Sequence, residues 1–247
     1  MALSNDKISI KSLYSSLPRG MPISSCVLKQ LGVSAALASE YVKTGWLERL
    51  GRGVFMFPND ELQRDACLKF LSEQIPGMHV GGKTALSWRG FGHNLPAREM
   101  ICLWGGNQVR LPEWFNERFS VRYTSKQIFS KTLKEDYALQ SLPETPDGPL
   151  VSEPERAVLE LLSDAGVNET IIGTQSILEN VRSLRESVLT ELLQNTARIK
   201  VLRLSVLWSE KLNLPWAPIA RKAAGNRLGS GTWTAKLKDG STLNLRM

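Results

Sequence analysis

The sequence predicts an α+β chain that opens with a winged helix-turn-helix over residues 1–58 and continues as a mixed α/β region over residues 59–247, subdivided near 143–149. Three observations predict it. Two short helical segments meet across a glycine-containing turn; a glycine-flanked arginine, Gly51-Arg52-Gly53, then separates two apolar runs; and beyond Pro58 short apolar strands alternate with helical patterns.

Ile8, Ile10, Leu13, Tyr14 and Leu17 recur at helical spacing until Pro18-Arg19-Gly20 stops them. Pro22-Ile23-Ser24-Ser25 starts a second helix through Val27, Leu28 and Leu31, and Gly32 is the residue type that tolerates a left-handed helix end. Ser34 caps a third helix with Leu37, Tyr41 and Val42 inward, and Gly45 closes it. This is the order of a helix-turn-helix, whose second helix lies in the major groove. Trp46 to Phe57 then reads as a tight hairpin, a wing with Arg52 at its tip.

Beyond Pro58 the pattern predicts a helix over 62–74, a strand over 78–80, a helix over 83–90 and strands over 100–103 and about 119–123. Residues 143–149 form a turn-rich connector. Ser152-Glu153-Pro154-Glu155 reads as a capping box, with Ser152 as N-cap, opening a helix through Leu162. Ile177, Val181, Leu184, Val188 and Leu192 recur at helical spacing, and 199–212 is a nearly apolar helix. The tail reads as a hairpin around Leu228-Gly229-Ser230-Gly231 and Lys238-Asp239-Gly240.

A 42% hydrophobic and 22% charged composition over 247 residues is that of a folded soluble protein. No apolar run reaches the ~20 residues that span a bilayer, and residues 1–10 lack a signal-peptide pattern, so no membrane association and a cytoplasmic location are expected. Cys26, Cys67 and Cys102 are read as reduced core thiols, with no disulfide framework and no metal site. The net charge of +7 is segregated. Residues 1–58 carry seven Lys/Arg against three Asp/Glu, residues 198–247 carry ten against two, and the centre is mildly acidic. Two basic ends suit a polyanionic partner, or a solvated basic face.

One motif points elsewhere. Gly77-Met78-His79-Val80-Gly81-Gly82-Lys83-Thr84 matches the phosphate-loop pattern G-x-x-x-x-G-K-[ST]. The pattern works only where a buried strand ends in a loop whose amides wrap phosphate. Here a helix and Pro76 precede it and Met78-His79-Val80 reads as strand, so Gly81-Gly82 is read as a strand-to-helix turn rather than a site using Lys83 and Thr84. His79 and His93 have no partners at ligand spacing, and Trp88, Trp104, Trp114, Trp208, Trp216 and Trp233 are read as core or interface anchors. No catalytic residue and no cofactor are expected, and the chain is not read as an enzyme.

The candidate DNA contacts are Lys11, Lys29, Ser34, Ala35, Ser39, Lys43, Arg49 and Arg52, with Arg19 a further phosphate contact. The exposed helix positions, Ala35, Ala36 and Ala38 among them, are small. They can approach thymine methyls but lack the bidentate Arg or Asn contacts of strong direct readout. Arg221, Lys222, Arg227, Lys236 and Lys238 form a second basic stretch, a candidate antitoxin or nucleic-acid surface if it is not simply solvated.

Several blocks resemble one family: Gly32-Val33-Ser34, Tyr41 through Gly53, His79 through Leu86, Gly90-Phe91-Gly92-His93, Leu111-Pro112-Glu113-Trp114-Phe115 and Glu155 through Leu162. In this order they resemble the AbiEi-type antitoxins of bacterial abortive-infection, phage-defence and type IV toxin–antitoxin systems. The resemblance implies a winged helix that binds inverted repeats in double-stranded DNA of its own promoter and represses it. It implies that 59–247 is an antitoxin domain countering a nucleotidyltransferase-like toxin without a stable complex. A monomer or weak dimer, cooperative on DNA, is expected. Thr232-Trp233 departs from the basic pair more usual at that place. The alternative is a winged-helix regulator with a protein- or ligand-sensing C-terminal domain and no toxin partner.

Overall fold

A computed structural model describes residues 10–92, 99–229, 231–236, 240 and 242–245. The chain forms two compact units, one of residues 1–74 and 110–119, the other of 75–109 and 120–247. It begins in the first with α1 (Ile10–Ser16), β1 (Ile23–Ser24), α2 (Ser25–Gln30), α3 (Ala35–Lys43), β2 (Glu48–Gly51), β3 (Val54–Met56) and α4 (Arg64–Ser72). It continues in the second with β4 (His79–Val80), α5 (Gly82–Leu86), a wide turn at Ser87–Phe91 and β5 (Ile101–Trp104), and returns to the first for α6 (Glu113–Asn116).

The first unit is a winged helix. β1, β3 and β2 form an antiparallel sheet in that order, with Ile23 opposite Phe55 and Arg49 opposite the same residue on the other edge. β1 is a strand that the pattern alone does not reveal. Leu13, Ile23, Leu28, Val33, Ala38, Leu47, Phe55 and Phe57 make the core, contributed by all three helices and the sheet. The Pro18-Arg19-Gly20 break is enforced by space: Gly20 has φ 75°, and a Cβ there would lie 2.9 Å from both Gln63 Cγ and Glu61 O. α4 buries Cys67, Leu68, Phe70 and Leu71, and Phe70 meets Trp114 of α6 edge-on at 6.3 Å. Trp114 also supports the wing, since its Cδ1 lies 3.4 Å from where a Cβ on Gly51 would sit.

The second unit continues with β6 (Val121–Thr124), β7 (Leu139–Gln140), β8 (Val151–Ser152), α7 (Pro154–Asp164), α8 (Ile171–Asn180), α9 (Glu186–Gln194), α10 (Ile199–Lys211), α11 (Ala217–Ala224), a 3₁₀ turn at Gly225–Leu228 and a hairpin of β9 (Trp233–Lys236) and β10 (Thr242–Leu245). Its five-stranded mixed sheet has the order β6-β5-β4-β8-β7, with β4 parallel to β8 and antiparallel to β5. α7 is buried from Glu155 to Asp164, which makes it the central helix of this unit. The mixture of helix and sheet is α+β. The apolar series from Ile177 to Leu192 is split between α8 and α9, because Val181 leaves helical geometry at ψ 74°.

Two expectations are corrected here. Ser152 does not cap α7: it belongs to β8, Glu153 is the N-cap, and Pro154 opens the helix. Ser152 Oγ donates instead to Glu160 Oε2 (2.8 Å), and Glu155 accepts from Arg185 Nε, Nη2 and backbone N (3.1, 2.8 and 2.7 Å). Buried charged partners outcompete a local cap. Cys26 is not a core thiol either, since it lies exposed on α2 with Leu28 facing inward. Cys67 and Cys102 are buried, and burial pushes the Cys67 thiol up to about 12.

Candidate nucleic-acid interface

Two hydroxyl caps set the helix pair. Ser24 Oγ accepts from Val27 N and Ser34 Oγ from Leu37 N, each at 3.2 Å, satisfying amides that a first helical turn leaves without partners. Between the helices Gly32 turns at φ 78°, which lets Val33 N donate to Leu28 O (2.8 Å). α3 then turns Leu37, Tyr41 and Val42 toward the core and leaves Ala35, Ala36, Glu40 and Lys43 exposed. Half-buried Ser39 donates to Ala35 O (3.0 Å), so its oxygen remains available as an acceptor. Ala38 differs from expectation: it is 3% exposed and lies in the core, because its place between Leu37 and Tyr41 puts it on the inward stripe.

The wing follows from the same local chemistry. β2 carries a bulge between Arg49 and Gly51, Gly53 turns at φ 72°, and Ser25 N donates to Gly53 O (2.8 Å), tying the turn to the start of α2. Arg52 is exposed at the tip. Exposed Arg49 holds its guanidinium 5.5 Å from the centroid of the Phe55 ring.

Lys11 on α1, Lys29 on α2, Lys43 on α3 and Arg52 are exposed and make no ion pair among the described residues. Arg19 does not join them. Its Nε and Nη2 bind Asp60 Oδ1 (2.6 and 2.5 Å), and its Cζ lies 5.3 Å from the centroids of Tyr14 and Phe57, which stack on each other. Sequence reasoning passed over Trp46, which is 49% exposed between α3 and the wing, with its carbonyl accepting from Tyr14 Oη (3.1 Å). The available signal is an aromatic directly after the helix-stopping Gly45.

The basic stretch near the C-terminus is not one free surface. Arg221 makes a two-pronged pair with Glu210 (2.8 and 2.6 Å), and the guanidinium holds the Glu210 carboxyl below the usual carboxylate range. Arg227 donates to the carbonyls of Leu193 (2.7 Å), Thr196 (3.1 Å) and Gln194, closing the C-terminus of α9. Lys222 is exposed on α11 without an ion pair among the described residues. Lys236 belongs to β9, and Lys238 lies outside the described residues.

The phosphate-loop look-alike is occupied by the protein itself. Gly82 N, where α5 begins, donates to Glu160 Oε2 (2.9 Å), and the same carboxylate accepts from Ser152 Oγ, His79 Nε2 (2.9 Å) and Arg156 Nε (3.0 Å). His79 is thereby satisfied on both nitrogens, its Nδ1 lying 2.7 Å from Gly77 O. Burial pushes the Glu160 carboxyl up, but His79, Arg156 and the Gly82 amide together hold it below the usual range. Thr84 Oγ1 donates to Met100 O (3.1 Å) and accepts from Cys102 N (2.9 Å), and Lys83 reaches Glu169 (3.4 Å). A nucleotide phosphate would find a carboxylate where it needs amides. Trp104, Trp114, Trp208 and Trp216 are buried as expected; His93 lies outside the described residues, as does the Trp233 side chain. Among the described residues no group of His, Cys, Asp or Glu could hold a metal ion, and no helix is long and apolar enough to cross a membrane.

Two family models match nearly the whole chain. Residues 6–97 match the N-terminal domain of the AbiEi antitoxin transcriptional regulators, and residues 98–243 match the AbiEi antitoxin transcriptional regulator of type IV toxin–antitoxin systems. Among solved structures the chain is similar to the crystallised RV2827C protein of Mycobacterium tuberculosis. The TM-score is 0.57 at 14% identity, over 95% of this chain and 90% of that one, a likeness of fold. No curated protein matches significantly.

Proposed function

Since the chain belongs to the AbiEi antitoxin transcriptional regulators of type IV toxin–antitoxin systems, we propose that it represses its own promoter by binding inverted repeats in double-stranded DNA. The observation that carries this reading is the conjunction, in one unit, of an exposed small-residue face on α3 with cations that make no ion pair among the described residues: Lys11, Lys29, Lys43 and Arg52. Residues 1–58 hold the reading head. Ala35 and the Ser39 oxygen lie toward base edges, while the lysines, Arg49 and Arg52 take phosphates. Trp46, beside both α3 and the wing, adds an apolar contact to the sugar-phosphate surface. Monomers or a weak dimer occupy the two half-sites cooperatively.

The region from residue 59 onward acts in the cytoplasm as the antitoxin, countering a nucleotidyltransferase-like toxin without forming a stable complex with it. Lys222 is the cation of the C-terminal stretch best placed to meet a partner. The experiment is a mobility-shift titration on ~200 base pairs upstream of the gene, against random competitor DNA, since specificity is a ratio of affinities. Specific retardation lost in Arg49→Ala/Arg52→Ala supports repression, and equal affinity for random DNA contradicts it. Co-expression with the product of an adjacent nucleotidyltransferase-like gene tests the second half: restored growth is expected, and unrelieved toxicity contradicts it.

A further inference from the structure

The second unit holds a cavity of about 270 Å³ between the end of β5 and the loop over residues 126–135. This is close to the lower end of the ~300–1,000 Å³ typical of small-molecule sites. Lys126, Lys131, Lys134 and Arg156 line it, with Glu135 and Glu160 as the acidic residues. Glu160 is already committed to four donors, and Lys126 leans on Asp164 at 3.4 Å. Lys131 and Lys134 are exposed and make no ion pair among the described residues. Two uncompensated lysines against Glu135 leave the open side net positive.

Arg156 fixes the chemistry. It is 8% exposed, and a guanidinium carries five N–H donors. Nε donates to Glu160 Oε1 (3.0 Å), and Nη1 donates to the carbonyls of Glu135 (2.9 Å) and Tyr137 (2.8 Å). The Phe129 ring centroid lies 5.3 Å from Cζ. These contacts hold the plane of the group and leave both N–H bonds of Nη2 without a protein acceptor among the described residues. Trp104 also lines the cavity, although its indole Nε1 is sealed in the interior on the side of Gly82. Nη2 is not sealed in the interior, so its spare donors are open to solvent at the cavity, where an anion can take the place of water.

We propose that this cavity binds a small phosphate-bearing anion, its phosphate accepting from Arg156 Nη2 and neutralised on the open side by Lys131 and Lys134. The positive excess favours a doubly charged phosphate over a single carboxylate, and a rigid guanidinium suits oxyanion geometry. The site lies within the second unit and is independent of the DNA-binding reading.

Titration calorimetry of the full chain with AMP and with inorganic pyrophosphate, using adenosine as the uncharged control, tests this. At least one phosphorylated probe is expected to bind saturably and to raise the melting temperature with the logarithm of its concentration above its Kd, while adenosine does neither. Lys131→Ala/Lys134→Ala, at exposed positions that leave the fold intact, is expected to weaken that binding by about tenfold or more. Lys43→Ala/Arg52→Ala on the winged helix leaves it unchanged. The proposal is overturned by the absence of saturable binding from both probes, by equal binding of adenosine, by affinity that Lys131→Ala/Lys134→Ala does not change, or by a loss that follows Lys43→Ala/Arg52→Ala instead.

Discussion

The two basic regions of this chain look alike as sequence and differ as structure. Around the winged helix, Lys11, Lys29, Lys43 and Arg52 stand exposed and make no ion pair among the described residues. Near the C-terminus three arginines are occupied: Arg203 donates to Leu228 O (2.8 Å), Arg221 pairs with Glu210, and Arg227 closes α9. Net charge counts both regions equally, but only cations free of protein partners can exchange counterions for phosphates without first breaking a contact. Free cations therefore mark an interface better than charge density does, and occupied ones mark the fold.

The largest effect is expected where a buried charge loses its partner. Glu160→Ala strips Arg156 and His79 of their common acceptor and should cost about 3–5 kcal/mol, read as a lower urea midpoint. The milder Glu160→Gln tests its charge. Because the Glu160 carboxyl is held below its usual range when folded, its contribution is present above the unfolded carboxylate value of about 4.3 and is lost as pH falls below it. The acid limb of the stability profile should accordingly be shallower in Glu160→Gln than in the parent, and an unchanged limb would remove Glu160 as its source.

Next in size is Arg227→Ala, which removes the side-chain donor of the Gln194 and Thr196 carbonyls while Leu193 O keeps backbone donors, and should cost about 1–2 kcal/mol without altering DNA affinity. Arg52→Ala should do the reverse. Stability stays level, while affinity for specific and random DNA falls together and the slope of log K against log salt decreases by about one. The smallest effect belongs to Arg221→Ala: the pair with Glu210 is roughly half exposed on both sides, so less than about 1 kcal/mol is expected, again with no change on DNA. A loss of DNA affinity in Arg221→Ala would erase the distinction between the two regions.

What was legible in the sequence was local. Ser34 capping α3, Gly32 and Gly45 at helix ends, and Gly53 in the wing act within a few residues, and the structure places them where the spacing implies. What was not legible depends on partners far along the chain. Ser152 and Glu155 have the spacing of a capping box, but Glu160 and Arg185 claim them, and no local pattern announces that competition. Ala38 reads as surface because alanine is neutral to burial, and Cys26 reads as core because cysteine is usually buried. The return of residues 110–119 to the first unit, with Trp114 packed against Gly51 beneath the wing, has no signal in periodicity. At the candidate interface the same division holds: Lys43 and Arg52 could be named from motif order, whereas Arg19 could not be set aside without seeing Asp60.

The most direct test of the central claim is the salt dependence of binding to the upstream promoter DNA, measured side by side for Lys43→Ala/Arg52→Ala and Arg221→Ala/Arg227→Ala. The first pair is expected to flatten the slope by about two and the second to leave it at the parent value. A flattened slope in the C-terminal pair, with no change in the winged-helix pair, would place the DNA interface on the second unit and contradict the account.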